Sequence, residues 1–236
     1  MTLLSVHNLH AHYGKSHVLR GVAFTLGEGS ICGLLGRNGS GRSTTLKAMM
    51  GIVPPSAGSV QLAGRELAGG RPFTVCRAGL AYVPEERLVF PNLTVEENLI
   101  MGLAPARQGT PCWAIEEMYA YFPPLAERRS QKAGHLSGGE QQMLTICRSL
   151  LGNPRVMLID EPTEGLAPKM VDAVTQVIRD IARRGVAVLL VEQKLSMALK
   201  VADALLVMGH GTIAFAGTPD ELREQPEIRR EWLEVS

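Results

Sequence analysis

"LLGRNGSGRST", residues 34–44, decides how the rest of the chain is read. Its run 36–43 has the spacing of a phosphate-cradling loop, G-x-x-x-x-G-K-[ST], with one departure: Arg42 stands where that pattern has lysine. The apolar stretch "ICGLLG" (31–36) leads in, and "STTLKAMMG" (43–51) follows with a helical pattern closed by Gly51. A buried strand entering a glycine-rich turn that opens a helix brings backbone N–H groups and the positive helix end together, which suits phosphate. In this reading Gly36, Arg37, Asn38, Gly39, Ser40 and Gly41 form the cradle and Arg42 supplies the cation. Ser43 puts its hydroxyl on Mg²⁺, with Thr44 beside it. Taken alone, the loop also fits a chance glycine-rich turn.

Working outward, two more apolar runs resemble the first: "VMLID" (156–160) and "VAVLLV" (186–191). Continuous apolarity suggests strands buried on both faces, as in a mostly parallel sheet covered by helices. Near the start, "LLSVHNLHAHYG", "VLRGVAFTL" and "GSVQLAG" are partly alternating and glycine-punctuated, so they predict an N-terminal antiparallel β subdomain. Residues 94–150 carry almost no strand signal and predict an inserted helical subdomain, approximately 91–150, broken at Pro123-Pro124. Thr94 with Glu97, Ser137 with Glu140 and Thr218 with Glu221 have capping-box spacing. The expected architecture is one α/β domain over 1–236 with a P-loop NTPase core.

Of 236 residues, 24 are Lys or Arg and 23 Asp or Glu, a formal net charge of +1. That balance argues against bulk electrostatic attraction to nucleic acid and leaves only a local patch open, so no nucleic-acid partner is expected. Cys32, Cys76, Cys112 and Cys147 are scattered without C-x-x-C spacing and read as buried or inert thiols rather than a metal site. The start turns polar too early for a signal peptide, and "VAVLLV" falls far short of the ~20 residues a membrane helix needs. A cytoplasmic chain that reaches a membrane only through a partner is the expectation.

"VMLIDEP" ends a buried strand in two carboxylates. A carboxylate at a strand's end can hold Mg²⁺, and the next can orient or deprotonate the attacking water. Asp160 is assigned to the metal and Glu161 to the water; behind a phosphate loop, a merely solvated Asp-Glu pair is the weaker reading. Between loop and carboxylates lies "HLSGGEQQ" (135–142), where Ser137 precedes Gly138, Gly139 and Glu140. A hydroxyl and unshielded N–H groups at a helix start suit a phosphate presented by another molecule, although a plain helix cap explains the segment equally well in isolation.

Phosphate loop, then "LSGGE", then "LIDEP" together resemble the ATP-binding cassette (ABC) ATPase family over essentially the whole chain. The resemblance implies ATP and Mg²⁺ as cofactors and two domains sandwiching two nucleotides. Each nucleotide would lie between one domain's phosphate loop and the other's "LSGG". Tyr13 occupies the position at which the family stacks an aromatic ring on adenine. The wording of "AYVPEER", "FPNLTVEENL", "LSGGEQQML", "DEPTEGLAP" and "LLVEQK" is similar to the ATPase subunits of bacterial high-affinity branched-chain amino-acid importers. That implies integral-membrane permease partners, a second ABC ATPase subunit or a second copy of the chain, indirectly a periplasmic binding protein, and residence at the cytoplasmic face of the inner membrane. Importers of urea or short amides have similar subunits and remain alternatives, as does a non-hydrolysing nucleotide-binding subunit. Soluble cassettes of DNA repair or translation are disfavoured, because neither a coiled-coil insertion nor a second cassette is present.

Against the family pattern, four positions differ. Arg42 replaces lysine, and a broad planar guanidinium is not equivalent to a slim ammonium. Glu85 stands where a glutamine meets Mg²⁺ or the attacking water, Gln193 where a histidine contacts the γ-phosphate, and Ala167 where an aspartate often links the two sites. The expected catalytic set is Glu161, Gln193 and Glu85, with Ser43, Asp160 and Glu85 around the metal. This chain's own phosphate side is altered while its "LSGGE" is intact, so its own site is expected to be the slower of two. The apolar Leu88, Val89 and Phe90 mark 85–98 as the expected docking segment for the membrane partner, against the alternative that they pack beneath the helical region.

Overall fold

Along β3 (Ile31–Gly36), neighbouring side chains enter different cores: Ile31 packs on one face of the sheet, Cys32 and Leu34 on the other, and Leu35 under the C-terminal helices. The structure, a computed structural model, describes residues 2–107 and 111–233. In chain order, β1 (Thr2–Tyr13) and β2 (Ser16–Gly27) precede β3, and α1 (Arg42–Met49) follows it. Then come β4 (Pro55–Leu62), β5 (Arg65–Glu66), α2 (Pro72–Ala78) and β6 (Leu80–Val83). The helical stretch holds α3 (Val95–Ile100), α4 (Ile115–Tyr121), α5 (Pro123–Glu127) and α6 (Gly138–Leu150). The chain returns to the core with β7 (Val156–Asp160), α7 (Pro168–Arg183), β8 (Ala187–Val191) and α8 (Leu195–Val201). It finishes with β9 (Ala204–Gly209), β10 (Thr212–Gly217), α9 (Pro219–Arg223) and α10 (Pro226–Trp232).

Two sheets form. The first is antiparallel in the order β2-β1-β4-β5; the second has six strands in the order β10-β9-β3-β8-β7-β6, parallel except for the β10/β9 pair. The continuous apolar runs arise because both faces of the second sheet are covered. On β7, Val156 and Leu158 face the core shared with α1 and the first sheet, while Met157 and Ile159 face α6 and α7. Along α7, Val174, Val177, Ile178 and Ile181 are buried at the spacing of one helical stripe, and Pro168 pre-sets its first turn.

All three expected capping boxes are present, at Thr94/Glu97, Ser137/Glu140 and Thr218/Glu221. Pro123 begins α5 directly after the break at Phe122. Three core strands escaped the sequence reading, namely β6, β9 and β10. The four cysteines divide: Cys32 and Cys147 are buried, whereas Cys76 and Cys112 are exposed free thiols, set on α2 and ahead of Trp113 rather than in a strand or in α6.

Two tryptophans sit at the margins of the core. Trp113 is 2% exposed, with the Arg184 guanidinium 3.6 Å above its ring. Trp232 packs edge-on to His210 at 5.2 Å, in space that Gly209 leaves free. Gly211, in the same turn, donates its N–H to the carbonyl of Ser40 at 3.0 Å, so this turn also buttresses the loop after β3.

Candidate functional site

The parallel strands deliver the site. β3 ends at Gly36, β7 at Asp160, and β8 at Val191, which is registered opposite Asp160. The loops leaving these carboxyl ends converge on one cavity of about 320 Å³, which the loop leaving β6 also reaches through Glu85. Asn38, Gly39, Gly41, Arg42, Ser43 and Thr44 line one side, and Glu85, Glu161, Glu164 and Gln193 the other. Gly36 is required by close approach: a Cβ there would stand 2.5 Å from the Met208 carbonyl oxygen and 2.7 Å from Ser40 Oγ. Arg37 and Ser40 face the opposite side of the loop, towards Met208, His210 and Trp232.

Ser43 donates its hydroxyl to Asp160 Oδ1 at 3.1 Å, and Tyr82 donates to Oδ2 at 3.2 Å. Burial raises the Asp160 carboxyl above its ordinary value, with these hydrogen bonds and the Lys47 and Arg42 charges opposing. Burial likewise raises Tyr82, so the phenol keeps its proton and remains a donor. Glu161 follows in a left-handed backbone conformation, φ 44°, a strain that persists where neighbours over-determine it. Its carboxyl is pushed up to about 7 by burial, against the pull of Arg42 and with Glu164 and Glu85 adding repulsion. Burial raises Glu85 too, and the nearby Glu164, Asp160 and Glu86 carboxylates push it further the same way.

Arg42 does not point freely along the cradle. It is 5% exposed, and its Nη2 reaches Glu161 Oε1 at 3.0 Å and Asn38 Oδ1 at 3.1 Å. Its Nη1 is buried with no hydrogen-bond partner, as is Ser40 Oγ. A buried guanidinium donor left unmatched is costly. The orphaned guanidinium donor, together with the open space at Gly39 beside it, fits an anion such as a phosphate. The Ser43–Asp160 pair offers the hard oxygen donors a Mg²⁺ ion prefers.

The remaining expected residues lie elsewhere. Tyr13 ends β1, half exposed and outside the cavity wall. Ser137, Gly138, Gly139 and Glu140 line a separate hollow of about 450 Å³ with Arg87, Gly165, Leu166 and Ala167. The Ser137 hydroxyl is exposed and donates to Glu140 Oε2 at 2.7 Å, where the capping carboxylate folds back beside it. Within one chain the two glycine-rich segments therefore do not share a cavity.

Sequence reasoning missed Tyr82 as the second partner of Asp160, Asn38 as the partner of Arg42, and the buried pair in which Thr163 donates to Glu192 at 2.7 Å. A charged residue directly after the wholly apolar "VAVLLV" was the available signal for Glu192. Of the apolar trio, Val89 packs inward while Leu88 and Phe90 stay 58% and 46% exposed. Asn98 holds this loop through both backbone groups of Phe90, and the Arg148 guanidinium sits 4.8 Å above the Phe90 ring.

Comparison with known proteins gives a consistent picture. Residues 19–164 match the family described as ABC transporter. The chain is 40% identical to the high-affinity branched-chain amino acid transport ATP-binding protein BraG of Pseudomonas aeruginosa, over 98% of this chain and 99% of that one. It is 36% identical to the probable branched-chain amino acid transport ATP-binding protein LivF of Archaeoglobus fulgidus, over 97% of each. A crystal structure of the ADP conformation of an ATP-binding cassette of an ABC transporter superposes with TM-score 0.82, at 25% identity and 98% coverage of each chain.

Proposed function

Since the chain belongs to the ABC transporter family and is an ATPase of that family, we propose that it couples ATP binding and hydrolysis to the import of branched-chain amino acids through a membrane permease. The observation that carries the importer assignment is the 40% identity to BraG along nearly the full length of both chains. Support for the chemistry comes from the cavity, where a buried cation with an unmatched N–H pairs with Glu161, next to the Asp160 that Ser43 holds.

In this reading Arg42 and the loop amides bind the phosphates, and Ser43, Asp160 and Glu85 hold Mg²⁺, which when bound neutralises charge on the transferred phosphoryl group. Glu161 orients the attacking water and takes its proton. Gln193 donates its amide to the γ-phosphate oxygens, and Tyr13 stacks on the base. Ser137, Gly138, Gly139 and Glu140 serve the nucleotide of a second ATPase subunit, distinct or identical, because they line a hollow apart from this chain's own cavity.

No helix among the described residues is long and apolar enough to cross a membrane. We place the chain on the cytoplasmic face of the inner membrane, docked on the permease and linked through it to a periplasmic binding protein. The docking face is the rim of exposed Leu88, Phe90, Ile100, Met101 and Leu103 beside the groove between β6 and α6; an apolar cluster of this kind marks an interaction surface.

Three measurements test the proposal. Millimolar Mg-ATP raises the melting temperature, since any native-state ligand stabilises; no shift in a folded sample removes the nucleotide reading. ATP-dependent leucine uptake is expected in vesicles carrying the permease and this subunit, and uptake of urea or a short amide instead would replace the substrate. Phe90→Asp abolishes uptake while leaving the Mg-ATP shift intact; loss of folding would assign Phe90 to packing.

A further inference from the structure

Arg87 lies two residues beyond Glu85, in the loop joining β6 to α3, with φ 50°. Left-handed backbone costs a residue with a side chain about 1–3 kcal/mol unless its surroundings fix it. Here they do. Nη2 donates to the carbonyl oxygen of Glu164 at 2.7 Å, in the loop between Glu161 and α7. A Cβ built on Gly138 would stand 2.1 Å from Nη1, and one on Gly165 would stand 3.3 Å from Nη2. The guanidinium thus fills space left open by the first residue of α6 and by the turn after Glu164.

The position is unusual on electrostatic grounds. A cation beside a helix N-terminus meets the positive end of the helix dipole, which is unfavourable. What retains it is the Glu164 carbonyl, so the contact joins segments rather than caps α6. Glu164 belongs to a compact turn in which its N–H donates to Glu161 O and that of Leu166 to Thr163 O, each at 3.3 Å. Glu161 and Glu164 both line the first cavity, whereas Arg87, Gly138 and Gly165 line the second.

We propose that Arg87 is a positioning residue that ties the loop 161–167 to the N-terminus of α6, so that filling the first cavity reorders Ser137, Gly138 and Gly139. The route is continuous. A phosphate that takes the Arg42 donors releases Glu161, the turn 161–166 resettles with its Glu164 carbonyl, and Arg87 carries that displacement to Gly138. The chain's own site thereby sets the readiness of the segment offered to its partner's. This rests on the reading of 36–43 as a nucleotide loop.

Hydrogen exchange on the full-length chain tests it, with a non-hydrolysable ATP analogue and Mg²⁺ as the probe, at a dilution where light scattering shows a monomer, so that no partner's nucleotide touches 137–142. In the wild type, amides of both 36–44 and 137–142 slow on binding. In Arg87→Ala the change at 36–44 remains, and that at 137–142 falls by about fivefold or more, the scale of ordinary coupling between sites. Gly138→Ala, whose methyl would evict the guanidinium, reproduces the loss with Arg87 still present, and adds nothing in the Arg87→Ala background. A merely structural role would lower stability without separating the two segments. Should Arg87→Ala fail to fold, Gly138→Ala and the wild type decide the matter. Protection confined to 36–44 in the wild type overturns the proposal, as does transmission that survives both substitutions. No protection at 36–44 overturns the nucleotide reading and the proposal with it.

Discussion

Arg42 shows at the scale of one residue what a sequence does and does not disclose. Its place in the loop was legible from glycine spacing. Its direction was not, because the guanidinium turns onto Glu161, a residue brought near only by the ends of β3 and β7. A planar fork can hold Asn38 and Glu161 together and still have a nitrogen unmatched; an ammonium is a single point. Arg42→Lys therefore frees Glu161 and narrows the cation, and turnover is expected to rise, by up to about 10²-fold if one transition-state donor is regained. Steady-state ATPase measurements check this. A fall would mean that the arginine is an adapted part of the machinery.

Elements were legible in proportion to their length and the number of faces they bury. β3, β7 and β8 announced themselves because both their faces are covered, and the capped helices because a capping box is written within four residues. β6 has four residues and β5 only two, too few for any period to register. β5 nevertheless carries a measurable device. Burial alone would raise the Glu66 carboxyl, but hydrogen bonds from the Ala68, Val60 and Leu67 N–H groups outweigh it and hold the group below its ordinary value. Its contribution is thus complete above the unfolded value, about 4.3, and is lost as pH falls through the lower folded one. Glu66→Gln is expected to cost about 0.5–1 kcal/mol at pH 7, modest because the carboxylate is exposed and screened. Thermal unfolding of both proteins should converge as pH drops below about 4; a gap that persists there would assign the loss to shape rather than charge.

For the whole molecule, the fold supplies two hollows that one chain cannot bring together, one with the altered phosphate loop and one with Ser137. If each composite site uses one of each, the site built on this chain's loop is slowed by the Arg42 and Gln193 departures, and its partner's is not. Phosphoryl transfer depends on positioning and electrostatics. In the assembled importer, Ser137→Arg should therefore reduce ATPase more than Glu161→Gln does, with assembly checked for both. The reverse ranking would make this chain's own loop the driver of the cycle. The sequence conveyed the asymmetry of residue types but not the separation of the hollows. That separation depends on how α6 is carried away from the strand ends, which no local pattern encodes.

The two tryptophans give the molecule a pair of native optical probes. Trp113, shielded beneath Arg184, is sealed from solvent, whereas Trp232 is half buried against the turn that supports Ser40. Acrylamide should quench the second and spare the first. Nucleotide arriving at the loop should alter only the quenchable part of the emission. A nucleotide response confined to the shielded component would show that the back of the loop is deaf to its front.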